Sequence, residues 1–218
     1  MKKTKFKNAF LSDLMINADA TRRIVYVALL TAINVISGSF LEFRMGGDTQ
    51  FSITIAVSVI TGVILGSGFG FVACFIGDLI GFFISSWGYM YMPWVGISTA
   101  MTAFISGIVI YALKFNFKGQ LALKIVIICV SSLLLCTVAI NSTGFYFYNY
   151  KMGFNTKVID YVKNTFGGGV GYFGYLAYRM IFKGQIFNCL FNYALVGVLV
   201  PLVLNIKFIK PKTHNEEN

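Results

Sequence analysis

The stretch "GVILGSGFGFVACFIGDLIGFF", Gly62–Phe83, holds a single charged residue, Asp78, in twenty-two positions. A helix needs about 20 mostly apolar residues to cross roughly 30 Å of hydrocarbon. Apolar sequence continues on both sides of the stretch, so it is too long for one crossing and fits two. The glycines of "GSGFG", Gly66–Gly70, supply the break, since hydropathy alone runs straight through them. This reading makes the chain a polytopic helical membrane protein and puts Asp78 inside its third span.

Composition agrees. The 218 residues are 57% hydrophobic and 12% charged, about half the charge of an ordinary soluble domain. Mean hydropathy is +0.74. Six spans are expected: Ile24–Phe43, Phe51–Gly68, Phe69–Trp87, Val95–Leu113, Ala122–Ile140 and Phe182–Leu204. Residues 1–23 read as an N-terminal segment with a short amphipathic helix at the membrane surface. Residues 24–204 form the membrane domain and 205–218 a polar tail. Counted over the loops, twelve cations lie on the side of the termini and six on the other. That bias puts both termini in the cytoplasm of a multi-pass plasma-membrane protein. It also accounts for the net charge of +10 through topology and contact with anionic lipid, without nucleic acid.

Several kinds of chemistry lack their residues. Cys74, Cys129, Cys136 and Cys189 lie in apolar runs without a C-x-x-C pair, and the lone His214 sits in the tail. No metal site and no cofactor is expected. "GVGYFG", Gly169–Gly174, matches a dinucleotide fingerprint in letters only, because no soluble strand precedes it. No P-loop is present, and Asp78 is the only aspartate within a span, so an intramembrane aspartyl dyad is excluded. The chain carries no catalytic constellation, and ATP hydrolysis is left to partners.

The unusual residues gather on the outer side. "LEFRMGGDTQ" carries Arg44. "SWGYMYMPWVG" brings Trp87, Tyr89, Tyr91 and Trp94 around Pro93. The long fifth loop, "NSTGFYFYNYKMGFNTKVIDYVKNTFGGGVGYFGYLAYRMIFKG", ends with Arg179 and Lys183. So many aromatic residues on one rim point to a shared outward pocket rather than to an interfacial belt alone. On the last span Gln185, Asn188 and Asn192 share a face and turn inward, either bonding neighbouring helices or lining the pocket. Asp78 has two open roles: a structural partner for Asn34 or Asn192, or the floor of the pocket. Small residues Gly96, Ala100, Ala103 and Gly107 make a stripe for close helix packing.

"VALLTAI", with Ala28 and Ala32 four apart, opens the first span. With it, "GVILGSGFGFVACFIGDLIGFF", "YMYMPWVGISTAMTAFISGIVIYAL" and "YRMIFKGQIFNCLFNYALVGVL" resemble the substrate-binding S components of energy-coupling factor (ECF) transporters, closest to the folate-type group. The resemblance covers about Arg22 to Leu204. It implies a six-helix S component that captures a vitamin under the outward loops. It also implies docking through Ala28 and Ala32 on a transmembrane coupling subunit driven by two cytoplasmic ATPases. Folate is the leading ligand, since aromatic residues beside Arg44, Arg179 and Lys183 suit a flat anionic heteroaromatic. Riboflavin, pantothenate or another vitamin or precursor also fits. Two other classes stay open: a stand-alone secondary carrier for a small aromatic solute, and a non-transporting membrane scaffold.

Overall fold

The computed structural model describes residues 10–45, 49–85, 90–113, 115 and 117–206, with the backbone alone for 42–45, 49, 50 and 85. The chain runs through α1 (Asp13–Asn17), α2 (Ala20–Ser39), β1 (Glu42–Met45), β2 (Thr49–Ser52) and α3 (Thr54–Leu65). Then come α4 (Ser67–Ser85), α5 (Pro93–Tyr111) and α6 (Gln120–Met152). The last elements are α7 (Thr156–Phe166), α8 (Tyr172–Ala177), a π-helical turn (Tyr178–Phe182) and α9 (Gln185–Leu204). Five helices, α2, α4, α5, α6 and α9, are long and apolar enough to cross a membrane.

The boundaries differ from the expected spans in three places. First, α2 stops at Ser39, and residues expected to end span one and begin span two pair as a hairpin, Glu42 opposite Ser52 and Arg44 opposite Gln50. The fold is therefore helical with one two-stranded ribbon, not all-α. Second, α3 has 12 residues, about 18 Å at 1.5 Å per residue, and falls short of a full crossing. Apolar Phe51 and Ile53 satisfy a hydropathy window whether they lie in a strand or a helix, which is why the window overran. Third, α6 does not end at Ile140 but runs on to Met152, 33 residues in all. Polar Asn141, Ser142 and Thr143 end the hydrophobic stretch but not the helix. The α6 helix is π-wound over Ser132–Ser142, where the Ser142 hydroxyl donates to the Thr137 carbonyl at 2.8 Å.

The helices pack where side chains are small. Gly66, at φ +85°, turns the chain sharply between α3 and α4. A Cβ at Gly62 would run into the Ala103 carbonyl, and one at Gly107 into the Ser67 backbone. Ala100 and Ala103 are fully buried. The small-residue stripe is thus the seam along which α5 meets α3 and α4. Hydroxyls reinforce it: Ser106 donates to the Val59 carbonyl at 3.1 Å, and Tyr111 to the Val63 carbonyl at 2.6 Å. Burying such donors without a partner would be costly in an apolar surround.

At the end of the bundle that carries the termini, residues 10–18 are woven into the packing. Ser12 caps α1 by accepting from the Met15 amide at 3.2 Å. Met15 is fully buried beside Leu30, Leu65 and Ala73. The Phe10 ring lies 6.2 Å from that of Phe104. The short helix expected to float at the membrane surface is, over its described part, a plug against the bundle.

Candidate functional site

The opposite end of the bundle, where the hairpin lies, collects the outward residues. Two groups form there, on different sides of α5. Gly96 faces α4, and Trp94, in the first turn after Pro93, faces α6.

On the α4 side, the Tyr91 hydroxyl donates to Asp78 Oδ2 at 3.1 Å, and the Tyr91 ring packs 5.1 Å from Phe82. Gly96 makes room for this pair, because a Cβ there would come within 2.7 Å of both Asp78 Oδ2 and the Tyr91 hydroxyl. Burial first, then the neighbouring carboxylate, pushes the Tyr91 phenol up to about 12, so it stays a donor. Asp78 lies seven residues before the end of α4, about 10 Å from its hairpin end, and so sits higher than mid-depth. The expected partners are engaged elsewhere. Asn34 donates to Thr61 Oγ1 and to the Leu30 carbonyl, both at 2.9 Å, and accepts from the Cys74 thiol at 3.5 Å. Asp78 therefore ties the α4–α5 connection down through Tyr91.

The amide face of α9 is structural as well. Asn192, fully buried, accepts from the Ala56 amide at 3.0 Å and donates to the Ser52 carbonyl at 2.6 Å. Asn188 accepts from the Ser52 amide at 3.0 Å. Ile53, the N-cap of α3, offers no side-chain cap, so the amides from α9 complete the short helix and fix the hairpin to it. Gln185 is half-buried in the first turn of α9, and Lys183 is exposed just before it.

On the α6 side lies a packed aromatic cluster, the candidate chamber. Trp94 meets Phe145 edge-on at 5.7 Å and Tyr148 at 5.9 Å. Gly144 lets the indole in, since a Cβ there would overlap the ring. The Arg179 guanidinium stands 4.0 Å above the centre of the Phe145 ring. The α6 extension, α7 and α8 build the wall. Tyr146 packs on Phe154, Tyr172 and Tyr175, and Asn149 donates to the Tyr175 hydroxyl at 3.1 Å. Val158 and Val162 of α7 close the cluster with Tyr175 and Tyr178. The "GVGYFG" run serves this packing: Gly174 gives Val162 its place, with a would-be Cβ 3.0 Å from Cγ1.

Arg179 is 8% exposed. Among the described residues no carboxylate pairs with it, and its Nε has no hydrogen-bond partner. Burial pulls the guanidinium down from its ordinary value, while Tyr175 acts the other way. Desolvating such an ion costs several kcal/mol, and one aromatic face returns about 0.5–2 kcal/mol. Trp94 Nε1 and Asn141 Oδ1 are also buried without a partner. Asn141 precedes Phe145 by four residues on α6.

Of the outward cations expected together, Arg179 is buried beside Phe145 and Lys183 is exposed. Arg44 lies in β1, where only its backbone is described, and Trp87 and Tyr89 fall outside the described residues. Ala28 and Ala32 lie on the open face of α2, among exposed Ile24, Leu29, Ile33 and Ile36. Asn141, Gly144 and Phe145 were not singled out from the sequence. Their signal was there, as a polar residue and an aromatic four apart on a helix that outlasts its hydrophobic stretch.

Comparison with known proteins bears on what this arrangement is. No curated protein matches the chain. Among solved structures, the crystal structure of FolT bound with folic acid is similar, with a TM-score of 0.49 and 16% identity over 82% of this chain and 94% of that one. A family model described as "ECF-type riboflavin transporter, S component" matches residues 18–179, most of the chain including the hairpin, α2 to α8 and Arg179. The chain belongs to the ECF-type riboflavin transporter S component family.

Proposed function

We propose that this protein is the substrate-binding subunit of an ECF-type importer, taking a vitamin or related small molecule from outside the cell. The observation that carries the reading is the chamber at the hairpin end, in a chain whose family is one of transporter S components. Its aromatic faces suit a flat ligand, and its unpartnered polar atoms need one. Short α3, completed by the hairpin, acts as the sixth crossing element, so both termini lie in the cytoplasm and the chamber faces outward. The open face of α2 around Ala28 and Ala32 is where a transmembrane coupling subunit docks, with two ATPases behind it. Small side chains four residues apart let a partner helix approach closely. Riboflavin, from the family's name, and folic acid, from the sequence resemblance, are the first ligands to try.

Trp94, at the chamber wall, reports binding. Titrating the purified chain with riboflavin and with folic acid should give saturable quenching of its fluorescence, with affinity on the order of −8 kcal/mol or tighter. Quenching that survives Trp94→Phe unchanged would place the ligand elsewhere. A scaffold protein would bind neither compound.

A further inference from the structure

We propose that α7 and the start of α8 are seated in the membrane interface, with Ile159, Phe166 and Phe173 set among the phospholipids of the leaflet on the hairpin side. The inference does not depend on which ligand the chain takes. In α7, Val158 and Val162 face inward against Tyr175 and Tyr178. The apolar side of this helix is wider than the protein covers. Ile159 and Phe166, seven residues apart and so on one side of α7, are 43% and 58% exposed. Gly174 brings α8 to that side, since a Cβ there would lie 3.8 Å from Phe166 Cδ2. Phe173, its neighbour in the chain, is 81% exposed. Three large apolar side chains thus gather in the open where α7 meets α8.

What covers them follows from α6. Its residues Leu135 and Ala139 are exposed within the hydrophobic stretch, and Phe147 is exposed beyond it. Between them the Tyr172 hydroxyl pairs with that of Thr143 at 2.9 Å and donates to the Val138 carbonyl at 3.4 Å. The apolar run 122–140 spans about one hydrocarbon thickness, so the first residue of α8 lies at its edge, on the exposed side of the helix. A tyrosine there, apolar in its ring and polar at its tip, suits the boundary between lipid and water. Lys163, exposed and four residues after Ile159, stands beside the patch with a stem long enough to reach a headgroup phosphate. Lipid is favoured over a protein partner because the patch continues the exposed stripe of α6, which lies against lipid in any crossing helix. The other side of α7 packs on Tyr175 and Tyr178, so a seat in the bilayer also steadies the wall next to Arg179.

The test is fluorescence quenching in the full chain, one copy per phospholipid nanodisc, with Trp87→Phe and Trp94→Phe removing the native signal. Phe166→Trp or Phe173→Trp then reports the patch. Asn164→Trp, two residues from Phe166, reports the opposite side of α7. Lipids brominated near the headgroup should quench the patch reporters about twofold or more, and Asn164→Trp by less than about one tenth. Lipids brominated at the chain terminus should quench the patch reporters less. Equal quenching of Phe166→Trp and Asn164→Trp overturns the proposal. Quenching of neither overturns it too, and leaves the patch to a protein partner or to water. Stronger quenching by the terminal bromines would put α7 in the hydrocarbon and overturn the interfacial seat. Where the tryptophan-replaced chain does not fold, the unaltered chain is probed with a phospholipid that carries a photoactivated diazirine near its headgroup. Residues 159–173 should then be labelled at least as heavily as residues 134–139 of α6. Label on α6 with none on 159–173 overturns the proposal.

Discussion

Replacing Asn192 with leucine removes the amide that joins α9 to α3 while keeping the branched outline of the side chain. Asn192 is fully buried and makes four contacts. It accepts from the Ala56 amide at 3.0 Å, and donates to the Ser52 carbonyl at 2.6 Å, the Asn188 carbonyl at 2.8 Å and Asn188 Oδ1 at 3.2 Å. Leucine leaves the Ala56 N–H and the Ser52 carbonyl without this partner, in a region that water does not reach. Each orphaned group costs about 1–2 kcal/mol, near the lower part of the range for buried polar atoms. The expected loss is therefore about 2–4 kcal/mol. For a chain of this size that corresponds to a fall of about 4–16 °C in the thermal midpoint, read by size-exclusion after heating in detergent. Asn188→Ala should cost less, since it frees the Ser52 amide and leaves Asn192 Nδ2 its two carbonyl acceptors, and the double variant should lose less than the sum because both residues hold Ser52. A midpoint for Asn192→Leu within a degree of wild type would refute the capping role. Reduced ligand affinity at full stability would place Asn192 in the chamber.

Other substitutions test other joints. Ala28→Trp with Ala32→Trp should leave binding of the ligand by the isolated subunit unchanged, because the face is exposed, and abolish ATP-driven uptake if this face docks the coupling subunit as proposed; unchanged uptake would remove α2 as the docking helix. Tyr91→Phe should destabilise the chain by about 1.5–3 kcal/mol, the range for a hydrogen bond to a charged group, whereas Asp78→Asn keeps an acceptor for Tyr91 and should cost less, both by thermal midpoint. Gly62→Ala meets the Ala103 backbone and should cost about 3 kcal/mol. Gly197→Ala meets nothing within 4 Å and should be neutral or stabilising by up to about 1 kcal/mol.

What the sequence shows of this molecule follows from what hydropathy measures. It reports contact with lipid, so α2, α4, α5 and α9 stand out along with the apolar part of α6. The glycine turn at Gly66 was legible because only a break explains two spans' worth of apolar sequence. The hairpin was not legible: strand pairing between Phe43 and Phe51 depends on neighbours supplied by α9, far away in the chain. The continuation of α6 was hidden by the polarity of Asn141, Ser142 and Thr143. With it went the four-residue spacing between Asn141 and Phe145. Asn188 and Asn192 were recognisable as inward-facing amides, but their work as caps depends on α3 being short. Arg179 was recognisable as a candidate from charge and position alone. Its burial over Phe145 belongs to the fold.

On the proposed function, this chain binds a small molecule but does not move it alone. Reconstituting the purified chain in liposomes, with and without a coupling subunit and its two ATPases, and following labelled vitamin, tests that directly. The account predicts binding in both preparations, and uptake only where the partners and ATP are present. Uptake by the chain alone, without ATP, would contradict it and make the protein a self-contained carrier.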